Sequence, residues 1–209
     1  MTSRERVATA LKRREPDRVP FLMEFTQGAL AQFREKTGAE NPAEYFNYDV
    51  RYLFTAPTKK QSDFSGYIGK LPEGSRVSEW GIGRVKGSVP GYEDYVHPLA
   101  NVEDVKELER YPWPETDAGY RYEALRAETQ KLHERGYSAA GLIPLHGGTI
   151  FETAWGLRGL ENLLADFLVN KEYAHALLDK VTDLNCKATE QLVEAGVDVM
   201  LVDYPCVIM

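Results

Sequence analysis

At 209 residues and 43% hydrophobic content, the chain can enclose a sizeable core and is predicted to be globular. Its net charge of −7, from 32 acidic against 25 basic residues, comes without any basic stripe that could neutralise phosphates, which excludes nucleic acid as a partner. No apolar run is long enough to span a bilayer and the charged first residues do not form a signal peptide, so we expect a soluble, cytoplasmic protein without a membrane partner.

The predicted elements begin with a short helix and a buried strand. Thr2 and Glu5 have the spacing of a capping box, and they predict a helix that ends before Pro16. The nearly all-apolar residues 19–25 are typical of a strand that is buried on both faces of a parallel sheet. A helix over residues 28–36 is expected to follow.

Residues 41–98 have a less regular pattern. Short segments in which polar and apolar residues alternate are separated by glycines, and this predicts antiparallel strands. We expect this range to be a small, irregular β insertion within a larger domain.

The rest of the chain alternates between helices and apolar strands. Helices are predicted over residues 101–110, with Asn101 as the N-cap, over residues 120–134, and in two segments after residue 148, the longer over residues 171–195. Strands are predicted over residues 139–145 and 197–202. Strands separated by helices imply right-handed βαβ units and a parallel sheet.

Polar residues follow the predicted strands, where catalytic side chains of parallel α/β folds are found. Six residues share such a position: Glu24, His146, Gly147, Gly148, Asp203 and Tyr204. We predict that Glu24, His146 and Asp203 carry acid–base chemistry and that the glycines and Tyr204 bind substrate. Glu24 could instead pair with an arginine, and His146 could only bond the backbone of its turn.

The residues after His146 add a binding loop and a helix start. Gly147 and Gly148 let the backbone approach a ligand, and the N–H groups of a following helix favour an anion. Thr149 and Glu152 have capping-box spacing, so we expect Glu152 to cap that helix. Trp155 is expected to form part of the core or of a pocket wall.

Asp49 and Arg51 alternate along an extended, aromatic segment and therefore share one face. Charged groups among aromatic residues are costly to bury, so we predict that both bind a polar substrate. Pairing with charges elsewhere in the chain is the alternative.

Ordered segments of the chain resemble the uroporphyrinogen decarboxylase superfamily. The resemblance rests on TSRERVATALKRREPDRVP, YFNYDVR, SEWGIG, HPLANVEDVKELERYPWP and GGTIFETAWGLRGLENLLADF, and it covers essentially the whole chain. It implies a (β/α)₈ barrel of the TIM type. We expect residues 1–209 to be a single barrel domain, truncated at its C-terminus and therefore open, with residues 41–98 inserted in it. An open sheet edge favours a homodimer.

The superfamily also contains methyltransferases that act on methylcobalamin or on methylated corrinoid proteins. True uroporphyrinogen decarboxylases carry an Arg-Gln-Ala-Gly-Arg motif after the first strand, whereas this chain has MEFTQGALAQF, with no arginine before Arg34. The resemblance therefore favours methyl transfer between a methylated corrinoid and a thiol acceptor. The alternatives are uroporphyrinogen decarboxylase activity in porphyrin biosynthesis and an inactive fragment that binds a ligand or partner.

The resemblance also implies cofactors. Its methyltransferase branch binds zinc through a His-x-Cys pair and a later cysteine, and the metal makes a thiolate nucleophile. Neither His146 nor Cys206 fits that pattern, so we predict no metal ligand in this chain. Zinc and a corrinoid are expected for the full-length protein, with a small molecule or a corrinoid protein as substrate, and this chain alone is expected to be inactive.

Overall fold

The structure is a computed structural model that describes residues 1–88, 92–146 and 149–201. These residues form two compact units. Unit 1 contains Met1–Thr55, Tyr122–Leu142 and Leu192–Leu201, and unit 2 contains Ala56–Arg121 and Ile143–Gln191.

The elements are numbered in chain order. The helices are α1 (Ser3–Leu11), α2 (Gln27–Thr37), α3 (Pro42–Tyr45), α4 (Ser65–Ile68), α5 (Val105–Arg110), α6 (Leu125–Glu134), α7 (Ile150–Arg158), α8 (Leu160–Val169) and α9 (Lys171–Glu194). The strands are β1 (Val50–Leu53), β2 (Arg76–Val77), β3 (Gly83–Lys86), β4 (Glu93–Val96), β5 (Ser138–Leu142) and β6 (Val199–Leu201). No helix among the described residues is both long and apolar enough to cross a membrane.

Unit 1 is built on a parallel sheet with the strand order β1-β5-β6. Its central strand β5 is buried, and Ala139 and Ala140 are fully inaccessible to solvent, as expected for a strand covered on both faces. Helices α1 and α6 pack against it. The strands predicted over residues 139–145 and 197–202 are therefore confirmed as β5 and β6.

Helix α1 begins as its sequence predicts. The Thr2 hydroxyl accepts a hydrogen bond from the Glu5 N–H at 3.2 Å, and the Glu5 carboxylate accepts one from the Thr2 N–H at 2.7 Å. The Arg4 N–H also donates to the Gly136 carbonyl at 2.9 Å. Local capping and this bond together hold α1 beside the start of β5.

The strand predicted over residues 19–25 is wrong. This stretch contains no strand, and Val19 and Met23 are 82% and 44% exposed. Two hydrogen bonds join Phe21 to Asp49, the residue before β1: the Asp49 N–H donates to the Phe21 carbonyl, but the Phe21 N–H donates to the Asp49 carboxylate. Because that N–H bonds a side chain and not a backbone carbonyl, the pairing does not continue as a ladder.

The range 41–98 divides between the two units. In unit 2, β2, β3 and β4 form the predicted antiparallel sheet. Strand β1, which lies in the same range, pairs in parallel with β5 in unit 1. Residues 41–98 are therefore not a purely antiparallel segment.

Unit 2 also contains most of the helices after β5. Three helices follow residue 148 instead of the predicted two, because Gly159 (φ 88°) separates α7 from α8. Helix α5 is capped by Asp104 and not by Asn101 as predicted. The buried core of unit 2 includes Trp80, Ile82, Leu99, Leu157, Tyr173 and Leu177.

Candidate functional site

The candidate site in unit 2 is a group of aromatic and imidazole rings, Tyr95, His97, His146 and Trp155, which we call the His146 cluster. The Tyr95 ring meets the His146 ring edge to face, with centroids 5.3 Å apart, and meets the Trp155 ring at 5.5 Å. His97 lies 6.1 Å from Trp155, and His146 lies 6.4 Å from it. Edge-to-face packing of this kind fixes ring orientations.

Helix α7 holds both histidines of the His146 cluster. The Thr153 hydroxyl donates to the His146 carbonyl at 2.9 Å, which fixes the backbone of the turn. The His97 Nδ1 lies 2.7 Å from the Gly156 carbonyl oxygen. Because a carbonyl only accepts, Nδ1 carries the proton in this contact.

Gly156 is required where α7 meets His146. A Cβ at this position would lie 2.6 Å from the His146 Cδ2 and 2.9 Å from the Ile82 Cδ1. Both distances are well inside van der Waals contact. Only glycine therefore lets the helix backbone approach the imidazole so closely.

Burial, together with smaller effects of the nearby Arg84 and His97, lowers the pKa of His146 to about 4. His146 is 7% exposed. Its ring is therefore neutral near pH 7 and is a poor general base, since a base works best with a pKa near the working pH. It is suited to hydrogen bonding with a ligand that the aromatic rings contact.

Arg84 supplies positive charge next to this apolar surface. Its guanidinium carbon lies 5.4 Å from the centre of the Tyr95 ring, which is within cation–π range. The arrangement combines aromatic faces, the neutral imidazole of His146 and the Arg84 cation.

Asp49 and Arg51 lie in unit 1, at the amino end of β1, and not at the carboxyl end where the predicted site lies. Asp49 is fully buried and accepts hydrogen bonds from Ser3, Arg6 and Arg18 and from the Phe21 N–H. Burial by itself would raise the pKa of Asp49, but these hydrogen bonds together lower it. The network accounts for the burial of the carboxylate without a substrate.

Arg51 has different partners. Its guanidinium donates to the Tyr48 carbonyl, lies 4.0 Å from the centre of the Tyr137 ring and is 3.6 Å from the Glu44 carboxylate. Asp49 and Arg51 thus belong to separate polar networks, although they are only two positions apart in the chain.

The other predicted residues are only partly described. Glu24 is exposed, and its carboxylate accepts a hydrogen bond from the Tyr52 hydroxyl at 2.7 Å. Gly147, Gly148, Asp203 and Tyr204 lie outside the described residues. The structure therefore brings together His146 and Trp155, and their role in a site stays a prediction.

Thr149 caps α7, and its hydroxyl accepts a hydrogen bond from the Glu152 N–H at 2.9 Å, while the predicted capping by the Glu152 carboxylate stays a prediction. Among the described residues, no three His, Cys, Asp or Glu side chains are grouped so that they could hold a metal ion.

The sequence analysis did not identify His97 or Arg84. Tyr95 and His97 are two positions apart at the end of β4, so a strand places them on one face. That spacing was the available signal.

Comparison with known proteins gives two relatives and one family. The sequence profile of the family described as Uroporphyrinogen decarboxylase (URO-D) matches residues 81–204. A methylcobamide:CoM methyltransferase from Methanosarcina acetivorans is 24% identical over 207 residues, which are 98% of this chain and 58% of that protein. The solved structure of a methyltransferase from Methanosarcina mazei superposes with a TM-score of 0.54 at 17% identity, over 96% of this chain and 58% of that one. The structural likeness shows a shared fold, and the chain spans less than two thirds of either relative.

Proposed function

The chain belongs to the uroporphyrinogen decarboxylase (URO-D) family, and on that premise we propose that the full-length protein is a methyltransferase of this family. In this proposal it moves a methyl group between a methylated corrinoid and a thiol. The observation that carries the proposal is the similarity, along nearly the whole chain, to a methylcobamide:CoM methyltransferase.

The His146 cluster supports this proposal through its chemistry. A corrinoid is a large macrocycle with an apolar rim, and the protein's part is to bind and orient it. The Tyr95 and Trp155 rings offer aromatic surface, and neutral His146 can donate or accept one hydrogen bond there. We assign His146 a binding role and not that of a general base, and we propose that Gly147 and Gly148 contribute backbone contacts.

The remaining predicted residues keep weaker or untested roles. Asp203 and Tyr204, which follow β6 in the chain, remain proposals for the same site. Asp49 and Arg51 are better explained by their polar networks in unit 1. Glu24 has a hydrogen-bonding partner but no assigned function.

Zinc is part of this proposal only for the full-length protein. The described residues do not contain a set of ligands for it, so no step is derived through the metal. A bound zinc would supply an activated thiolate.

We further propose that residues 1–209 are the first part of a (β/α)₈ barrel, because such barrels need about 250 residues.

The experiment is a methyl-transfer assay on the full-length protein. Methylcobalamin and a thiol such as coenzyme M are the substrates, and demethylation of the corrinoid is followed by its visible absorbance. We expect thiol-dependent demethylation, with about one zinc per chain, and no release of carbon dioxide from uroporphyrinogen. A metal-free protein that decarboxylates uroporphyrinogen would refute the proposal.

Two variants locate the site. Trp155→Ala removes an aromatic wall of the His146 cluster and should raise the KM for methylcobalamin by about twofold to tenfold, since an aromatic pair contributes about 0.5–1.5 kcal/mol. Tyr92→Ala is the control, because Tyr92 is an aromatic residue of unit 2 that is 72% exposed and outside the cluster. Equal effects of the two variants would contradict the assignment.

A further inference from the structure

A cavity of about 370 Å³ lies in unit 1, beside the amino ends of β5 and β6. Helix α1 forms its apolar wall with Val7, Ala8 and Leu11. Ser138, the first residue of β5, and Asp198, which precedes β6, form its polar wall. The volume is within the range of small-molecule sites.

The Ser138 hydroxyl is the first indication that this cavity binds a ligand. Ser138 is 1% exposed, and its Oγ has no hydrogen-bond partner among the described residues. A buried hydroxyl without a partner is costly, and buried polar groups are nearly always satisfied. A polar group of a ligand inside the cavity would supply the missing partner.

Asp198 is the second indication. Its Oδ2 accepts hydrogen bonds from the His133 Nε2 and the Ala139 N–H, both at 2.9 Å, and its Oδ1 accepts one from the Arg4 Nε, also at 2.9 Å. A carboxylate has about four acceptor positions, so Oδ1 can accept one more bond. Burial acts to raise the pKa of Asp198, but these hydrogen bonds lower it and keep the group charged.

The charge on the cavity wall selects the kind of ligand. The residues that line the cavity include two acidic ones, Glu5 and Asp198, and one basic one, Arg4, which pairs with Asp198. The excess of negative charge disfavours an anion and favours a cation that can donate hydrogen bonds.

We propose that this cavity binds a small, protonated aliphatic amine. Its ammonium group donates to the Ser138 hydroxyl and to the Asp198 carboxylate, and its hydrocarbon chain lies along Val7 and Leu11. These two residues are one helical turn apart, about 6 Å, so a chain of about five carbons is long enough to contact both. The site does not depend on the proposed methyl transfer.

The test is calorimetric titration of the full-length protein with n-pentylammonium chloride at constant ionic strength. We expect saturable binding with one site per chain, whereas n-pentanol and pentanoate bind at least about tenfold more weakly, because a hydrogen bond to a charged group is worth that much. Equal binding of all three compounds, or no binding of the ammonium, would overturn the proposal.

Two variants and one control assign the site to residues. Asp198→Asn should weaken pentylammonium binding by about tenfold or more, and Ser138→Ala by about threefold to tenfold. Thr129→Val is the matched control: the Thr129 hydroxyl is also buried in unit 1 without a hydrogen-bond partner in the described structure, but it does not line the cavity. It should leave the dissociation constant unchanged.

Ser138→Ala decides the question if Asp198→Asn disturbs folding. Its circular dichroism should match that of the unaltered protein and its melting temperature should be no lower, because the substitution removes only an unsatisfied hydroxyl. An unchanged affinity in a folded Ser138→Ala protein would refute the site.

Discussion

Asp49→Asn tests whether a buried carboxylate supports the fold of unit 1 or binds substrate. Asp49 accepts hydrogen bonds from Ser3, Arg6, Arg18 and the Phe21 N–H. The substitution removes its charge and points an NH₂ group at these donors. Breaking a buried ion pair from one side costs about 3–5 kcal/mol. The Arg6 side chain is only 8% exposed but keeps its ion pair with Asp17, and Arg18 is 47% exposed and can return to water. We therefore expect a loss near the lower limit, about 3 kcal/mol.

The assay is urea unfolding of the full-length protein, followed by circular dichroism. Asp17→Asn is the control, because Asp17 also pairs with Arg6, at 2.6 Å, but its side chain is 43% exposed. The Asp17 variant should shift the urea midpoint much less. A stable Asp49→Asn protein that has lost methyl transfer would refute the structural role and restore the substrate-binding one.

The same network predicts a pH dependence. Since the folded-state pKa of Asp49 lies below its usual value of 3.8, the stabilisation is fully present above pH 3.8. It is lost as the pH falls through the folded-state pKa. The difference in urea midpoint between the original protein and Asp49→Asn should therefore shrink in that acidic range.

Three substitutions in unit 2 have further expected outcomes. The pKa of His146 is lowered to about 4, so the folded state binds fewer protons and stability should fall as the pH drops from about 6.5 towards 4, by about 3 kcal/mol in all. His146→Phe should remove this slope from urea midpoints measured across that range. Gly81→Ala should cost about 3 kcal/mol in urea unfolding, because φ is 75° and a Cβ would overlap the Tyr111 hydroxyl. Asp166→Asn breaks a buried pair with Arg158, joined at 2.7 Å, and should lower the unfolding free energy by about 3–5 kcal/mol. A loss of unfolding free energy below about 1 kcal/mol would contradict this expectation.

Features that depend on local chemistry could be predicted from the sequence. The capping box of Thr2 and Glu5 is a pattern of neighbouring residues, and α1 has it. The apolar runs that become β5 and β6 are bounded by glycine and by helices, and their parallel pairing is confirmed. The family predicted from ordered segments is also confirmed.

Features that depend on a partner segment could not be predicted in the same way. Residues 19–25 are as apolar as β5, but a strand also needs a neighbour whose N–H and C=O groups continue the ladder. The Phe21 N–H instead bonds the Asp49 carboxylate, a group 28 positions away. No pattern within the segment contains that information.

The candidate site shows the same division between local and distant information. Alternation predicts that Asp49 and Arg51 share a face, but it does not say at which end of β1 they lie. That depends on the strand beginning at Val50. A shift of a few residues in a strand boundary moves a side chain from one end of a sheet to the other.

Ser138 is the clearest case of information that lies outside its own segment. In YSAAGLIPL it is one small residue in an apolar strand, and nothing nearby marks it as functional. Its burial follows from α1, which the bond from the Arg4 N–H to the Gly136 carbonyl holds in place. Arg4 lies 134 positions before Ser138 in the chain. The carboxylate beside it comes from Asp198, in the segment before β6. A polar cavity at the amino ends of parallel strands is thus assembled from three distant segments, and only their packing reveals the unsatisfied hydroxyl on which the amine-binding proposal rests.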